Sequence, residues 1–388
     1  MRLLSFNFLP LAFLAVLLSL CTEALYAQRA ASTAVSFLLI SPAARTSAMG
    51  ETGVALADDA SATYWNPAGL GFQKGQELSL SHSNWLPQFQ QSDLFYEYAN
   101  YKINIPSISG TLGAALTFLN LGEFERTGEG NEKLGTFRSY ELAFSACYGT
   151  RIDEDVSIGL GVRLIYSSLS PVATAQEEGT GSATTVSGDL GVIYRPSKFT
   201  LPFTDIDLGN RFSLGAAITN AGPSISYIDR AQADPLPTTL RLGFAIDLIN
   251  EEYNKLTWTT DIAKLLVSRT DSKADPFFKA IYKSFDVPNV LTTFTLGIGL
   301  EYWYSQQFAL RAGFFHEDPN QGNRRFLTFG AGVRYDIYGF DFSYISTDIS
   351  NENSPLANTL RFTLSVGWGR GDKPEDDTQK NPQDDSRN

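Results

Sequence analysis

The 388-residue chain has almost no cysteine, histidine or methionine, with two of each. Cys21 falls within the first 27 residues, so Cys147 has no partner for an internal disulfide in a processed chain. His82 and His316 are too few for a histidine-rich metal site. Gly-x-Ser-x-Gly, His-Glu-x-x-His, Cys-x-x-Cys and Walker-type Gly-Lys-Ser/Thr are all missing. No motif remains for nucleophilic hydrolysis, zinc hydrolysis, dithiol exchange or nucleotide hydrolysis. The chain therefore reads as a protein that is not an enzyme and has no cofactor. Long apolar runs are also missing. Beyond residues 8–20 no stretch approaches about 18 consecutive apolar residues, so no helix is expected to span a bilayer. Basic charge is in deficit, with 30 Lys and Arg against 42 Asp and Glu and a net charge of −12, which argues against nucleic acid as a partner.

What is abundant is aromatic and glycine: 17 Tyr, 27 Phe and 32 Gly. A helical membrane protein would be far more hydrophobic on average. A transmembrane barrel would not, because every second residue faces a polar lumen. The first 27 residues have the layout of a secretory signal peptide: Arg2, an apolar run over 8–20, then a polar and small-residue stretch to Ala27. Leu20 before Cys21 is a poor fit to a lipoprotein signal, which prefers a small side chain there. Residues 28–76 follow, and their centre at 41–72 is rich in Ala, Gly and Ser and ends on Trp65-Asn66-Pro67-Ala68-Gly69. Small residues let backbone lie against backbone. The segment is expected to plug a barrel mouth, with Trp65, Asn66 and Pro67 at its centre. The plainer alternative is a loop packed on a β-domain.

Over residues 77–369 period-2 alternation recurs. Leu360, Phe362, Leu364, Val366 and Trp368 alternate with Arg361, Thr363, Ser365 and Gly367. Phe294, Leu296, Ile298, Leu300 and Tyr302 alternate with Thr295, Gly297, Gly299 and Glu301. One face is continuously apolar and the other is small and glycine-rich, which suits lipid outside and lumen inside. A soluble sandwich would wet its second face with Lys and Glu. Tyr302, Trp303, Tyr304, Tyr335 and Trp368 are expected at the aromatic girdles. About fourteen antiparallel strands are expected, an even number as bacterial outer-membrane barrels have. They begin near Glu77, Asp93, Thr111, Ser139, Val156, Thr184, Arg211, Thr239, Leu256, Thr293, Phe308, Phe326, Gly339 and Thr359.

The connections sort by parity. Those after even-numbered strands are tight, except 196–210. Those after odd-numbered strands are long: 121–138, 168–183, 222–238, 268–291 and 317–325. Long loops on the extracellular side and short turns in the periplasm is the outer-membrane arrangement. The longest loop holds Asp275 and Pro276, expected at the N-cap and first position of a short helix. Its residues Phe277, Phe278, Ile281, Tyr282 and Phe285 form a lid over the mouth or a docking surface. Residues 370–388 are polar and Asp-rich, and are expected to be a disordered periplasmic tail. Nine charges are expected in the lumen: Glu141, Arg163, Asp189, Arg241, Asp247, Glu301, Arg311, Arg334 and Arg361. A paired network is the first reading of them, a proton relay or selective pore the second. Gly-x-Gly at 159–161 and 330–332 sits inside strands and reads as small lumen positions.

Several stretches carry a family resemblance. Asn66-Pro67-Ala68 recurs in the plugs of FadL-like barrels, and Met49-Gly50 through Trp65-Asn66-Pro67-Ala68 is similar to the opening of PorV and PorQ relatives. Glu252-Tyr253-Asn254-Lys255, Lys264-Leu265-Leu266-Val267 and Lys283-Ser284-Phe285 follow in order. Then come Glu301-Tyr302-Trp303-Tyr304, Phe315-His316-Glu317, Gly322-Asn323-Arg324-Arg325 and Thr359-Leu360-Arg361-Phe362. With these the chain resembles the PorV family of the type IX secretion system, within the FadL-like barrel group. Gly69 departs from the Lys that often follows Asn-Pro-Ala in that family. The resemblance implies a fourteen-stranded outer-membrane barrel that associates with a translocon barrel. It further implies binding of secreted cargo through a C-terminal signal domain, and delivery to a cell-surface attachment complex with a sortase-like protease. A FadL-like importer of hydrophobic molecules is the competing class. Lipid A deacylation is a third, for which the sequence offers no nucleophile and base.

Overall fold

The computed structural model describes residues 33–369, except 90–93, 129, 171–180, 202–205, 229–232, 271–272 and 348–353. The expected signal peptide, residues 28–32, most of the loop at 168–183 and the expected tail after 369 lie outside the described residues.

Fourteen strands close into one antiparallel barrel in which every strand pairs with its sequence neighbours and the last pairs with the first. They are β1 (Gln76–Asn84), β2 (Phe95–Ile105), β3 (Gly110–Thr127), β4 (Lys133–Arg151), β5 (Val156–Ser168), β6 (Ser182–Tyr194) and β7 (Phe212–Ala221). The second half is β8 (Thr239–Asn250), β9 (Asn254–Leu265), β10 (Phe294–Tyr304), β11 (Phe308–His316), β12 (Arg325–Tyr335), β13 (Tyr338–Ser346) and β14 (Leu360–Trp368). Closure runs from Gln76 opposite Trp368 to Ser83 opposite Arg361, so no strand edge is left for aggregation along this seam. No described helix is long and apolar enough to cross a membrane.

The alternation places side chains as the sequence implies. On β14, Phe362 and Leu364 are exposed outward while Arg361 and Thr363 are buried inward. On β5, Ile158, Leu160, Val162 and Leu164 face out, and Ser157, Arg163 and Ile165 face in. Three expectations are corrected. Trp303 is not a girdle residue: it shares the inward face with Glu301, and its ring lies 5.3 Å from the guanidiniums of both Arg311 and Arg334. Period 2 puts Tyr302 and Tyr304 outward and therefore Trp303 inward. The long loop at 121–138 is mostly strand: β3 and β4 continue as a hairpin to a connection at 128–132, stapled by stacked Phe124 and Phe137. Polar, charged strand ends in that hairpin look like loop by composition, but cross-strand pairs such as Lys133–Glu125 at 2.7 Å extend the ladder. The helix in the longest loop is Phe277–Lys283 with Pro276 at its N-cap and no side-chain cap. Asp275 is occupied elsewhere: it accepts from Ser268, Thr270 and Lys279.

The segment before β1 fills the lumen. It contains the short helices Ala44–Ser47 and Ala62–Trp65 and the 3-10 turn Pro67–Phe72. Ala44, Ala48, Met49, Val54, Ala60, Ala62 and Asn66 are fully buried. The inward glycines of the wall explain how it fits. A methyl group at Gly191 would collide with Asn66 Oδ1, and one at Gly313 with the backbone of Gly50. Only glycine lets wall and filling backbone approach this closely.

Candidate functional site

The site is the filled lumen and its two mouths. At its centre Asn66 is fully buried, and its Nδ2 donates to Val54 O at 2.9 Å, Val192 O at 3.1 Å and Ala216 O at 3.3 Å. Its Oδ1 accepts from Ala68 N at 3.1 Å. One side chain thus ties the segment to itself and to β6 and β7. Pro67 starts the 3-10 turn, where its missing N–H costs nothing. Trp65 donates from Nε1 to Thr46 Oγ1 at 3.1 Å, and the Arg241 guanidinium lies 4.9 Å above its ring. Further wall-to-segment bonds come from Asp261, Thr328 and Thr363. Asp261 Oδ2 accepts from Gly53 N at 2.7 Å and Val54 N at 2.9 Å. Thr328 Oγ1 accepts from Gly50 N and donates to Ala48 O, both at 2.9 Å. Thr363 Oγ1 accepts from Ala44 N at 2.9 Å.

The turn end, where the connections are 106–109, 152–155, 251–253, 305–307 and 336–337, holds a continuous ion-pair chain. Arg45 from the filling segment donates to Glu301 from Nε at 2.8 Å and Nη2 at 2.7 Å. It also meets Asp58 at 2.5 Å and Asp59 at 3.0 Å. Glu301 accepts from Arg311 Nε at 2.7 Å. Arg311 continues to Asp341 at 2.8 Å, and Asp341 to Arg334 at 2.7 Å. Asp247 sits near the same rim with Lys255 at 3.1 Å and Thr257 at 2.8 Å. A cavity of about 630 Å³ opens beneath, lined by Arg45, Glu77, Glu301 and Asp341 among others.

Toward the loop end the wall charges separate into different company. Arg163 pairs with Asp189 at 3.0 Å, donates to Ser145 at 2.8 Å and reaches Asn220. Glu141 accepts from Ser167, whose hydroxyl in turn accepts from Tyr227. Arg241 and Arg361 form no ion pair among the described residues. A second cavity, of about 690 Å³, lies here under the long loops, lined by Glu51, Arg241, Glu317 and Arg324 among others.

Above this mouth the Phe277–Lys283 helix turns Ala280 and Ser284 to the protein. Phe277 lines a small apolar cavity with Leu236 and Leu266. Phe278 is 84% exposed and Tyr282 77%, with Ile281 and Phe285 beside them. Phe285 is half covered, its ring 5.2 Å from Lys264 Nζ. Sequence reasoning missed Arg45, Asp261 and Asp341. Asp261 and Asp341 stand at inward positions of the alternation, next to Thr259 and Ser343, so the period would have found them. Arg45 is the lone charge in residues 41–50, within a stretch otherwise of small and apolar side chains.

A closed fourteen-stranded barrel with a lipid-compatible exterior, and a lumen filled by its own N-terminal segment, is a barrel of the outer-membrane type. Residues 23–272 match the family model of the type IX secretion system protein PorV, and the chain belongs to that family. No curated protein matches the chain. Among solved structures it is similar to the toluene transporter TbuX of Ralstonia pickettii, at 14% identity and a TM-score of 0.49, with 84% of this chain and 96% of that chain covered. It is also similar to the toluene transporter TodX of P. putida, at 14% identity and a TM-score of 0.48, covering 84% and 98%. A FadL homologue of Pseudomonas aeruginosa matches at 14% identity and a TM-score of 0.44, covering 84% and 98%.

Proposed function

We propose that this outer-membrane barrel binds secreted cargo through the cargo's C-terminal signal domain at the type IX translocon barrel, and carries it to the surface attachment complex with its sortase-like protease. The observation that carries the reading is the aromatic surface beside the loop-end mouth: Phe278 and Tyr282 stand exposed on a short helix, with half-buried Ile281 and half-covered Phe285 beside them. Aromatic anchors of this kind dominate protein interfaces, and truncating one typically costs about 2 kcal/mol or more. The lumen beneath is filled and charged, which suits handling at the rim better than passage of a hydrophobic molecule through the barrel. The double change Phe278→Ala with Tyr282→Ala is expected to leave the barrel folded and reduce co-purification of translocon and signal-bearing cargo. Unchanged co-purification would remove the helix from the docking surface. Reduced uptake of a long-chain fatty acid instead would move the protein to the importer class.

This reading places the long loops outside the cell and both termini in the periplasm. Protease added to intact cells is expected to cut an epitope inserted near Gln176 and to spare one placed after Trp368. The opposite pattern would invert the topology.

A further inference from the structure

The loop-end cavity, about 690 Å³ in volume, is within the ~300–1,000 Å³ range of small-ligand sites. Its charges are not balanced by their neighbours. Glu317 engages Arg324 through both carboxylate oxygens, at 2.7 and 3.0 Å, so that pair is closed. Arg241 lines the same cavity with no carboxylate in ion-pair range among the described residues, and is held only over the rings of Trp65 and Tyr64. Arg361 is 1% exposed, donates to Ser47 Oγ, and its Nε has no partner. Directly across the ladder from Arg361, the buried hydroxyl of Ser343 is also unpartnered. A buried guanidinium without a counter-ion is costly, and unpartnered buried groups are rare enough to require a reason.

Glu51 lies in the cavity lining and feels the charges of Arg324, Arg361 and Arg241, yet forms no ion pair with any of them among the described residues. Its backbone is left-handed, with φ 60°, directly after Gly50 at φ 66°. A non-glycine side chain adopts that conformation at a cost, and such strain collects at functional positions. With Arg324 closed by Glu317 and Arg269 by Asp234, the cavity is left with Arg241, Lys264 and Lys283 against Glu51 and Asp286, and Arg361 lies close behind Glu51, so positive charge is in excess.

We propose that this cavity accepts a single carboxylate from an extended polypeptide end, received by the forked donors of Arg241 with the charge of Arg361 behind it. The inference rests on the cargo-binding reading and deepens it by naming the chemistry that is recognised. A planar guanidinium matches a carboxylate through two parallel hydrogen bonds. Glu51 beside Arg241 repels a dianion more strongly than a monoanion, which favours a carboxylate over a phosphorylated headgroup at that guanidinium. The volume admits a short extended chain end and excludes a folded domain.

The test uses the full-length protein in detergent micelles at low salt. The probe is an N-terminally fluorescein-labelled Ala-Val-Ala-Val-Ala peptide, as free acid and as C-terminal amide, followed by anisotropy. The free acid is expected to bind at least about tenfold more tightly, the scale of one charged hydrogen bond. Arg241→Gln is expected to abolish that preference. Arg241→Lys, which keeps the charge, retains part of it. Glu51→Gln is expected to strengthen free-acid binding, a gain that a merely structural role would not produce. Equal binding of acid and amide, or no gain in Glu51→Gln, would overturn the proposal. So would stronger displacement by glycerol phosphate than by acetate, which would assign the site to a phosphorylated headgroup. If acid and amide bind alike while Phe278→Ala with Tyr282→Ala still loses cargo, the carboxylate site fails and the docking reading stands. A tenfold preference alongside cargo capture that ignores the helix would separate them in the opposite direction.

Discussion

At the turn end of the lumen Glu301, Asp341, Asp58 and Asp59 each meet a guanidinium, whereas at the loop end Arg241 and Arg361 meet no carboxylate among the described residues. The two ends differ in what they do for the filling segment. At the turn end Arg45 belongs to that segment, so its ion pairs with Glu301 fasten the segment to the wall. At the loop end the unpaired guanidiniums belong to the wall, and the segment contributes Glu51 and the Trp65 ring without closing a pair. One end is organised to hold, the other to receive. Closed pairs resist change, because breaking one leaves the remaining charge buried and alone. Unclosed charges are costly when empty and gain from a ligand.

The largest expected effect breaks the holding end. Arg45→Met leaves Glu301 with the Arg311 guanidinium alone, takes the guanidinium from Asp58 and Asp59, and is expected to cost about 3 kcal/mol, the low end for removal of one partner from a buried pair. Arg241→Met at the loop end removes mainly its stacking on Trp65, about 0.5–2 kcal/mol. Urea titration of the folded barrel in detergent, with heat-modifiable gel mobility as a second readout, compares the two. Equal losses would erase the distinction between the ends.

The comparison depends on knowing which face of each strand is inside, and the second prediction probes that. Phe362 is an outward neighbour of inward Arg361, with its ring 5.4 Å from that of Phe342. Phe362→Asp puts a carboxylate in lipid at a cost of about 1–4 kcal/mol according to depth. Lower levels of assembled barrel in the outer membrane are expected. Normal levels would mean that Phe362 does not face lipid, and that Arg361 is not in the lumen.

The strands were legible because their signal is local. A period of 2 over nine or more residues survives any tertiary context, and thirteen of the fourteen expected starting positions fall within two residues of those observed, while β4 begins six residues earlier, at Lys133 rather than Ser139. What escaped was decided by geometry between segments distant in the chain. Arg45 pairs with Glu301 across 256 residues, and nothing around Arg45 in the sequence points to that partner. The inward glycines read as small lumen positions, but their reason is visible only when Asn66 is seen against Gly191 and Gly50 against Gly313. Trp303 looks like a girdle residue by aromatic composition, but the period that governs its neighbours turns it inward. The hairpin extension of β3 and β4 looks like loop in the sequence because charged residues such as Glu123, Glu125 and Arg126 favour loops by composition. Their pairing across the strands overrides that preference.

The smallest expected effect sharpens the loop end, where the exposed helix must be held in place to dock. Asp275 anchors it: the carboxylate accepts from Lys279 at 2.6 Å, Ser268 at 2.8 Å and Thr270 at 2.8 and 2.9 Å. The Lys279 hydrogen bond, opposed by burial and aided by the two hydroxyls, brings this carboxyl down to about 2. An Asp in an open loop titrates near about 3.9, so the anchored form has the lower pKa. Its contribution is therefore complete above the open-loop value and is lost as pH falls from about 4 through about 2. Pepsin nicking between 277 and 285 is expected to rise over that window, measured relative to an unstructured peptide cut in the same tube. Asp275→Asn lacks the charge at every pH and is expected to be nicked already at pH 4. If the two proteins are cut alike at pH 4, Asp275 is not what holds the helix over the receiving end.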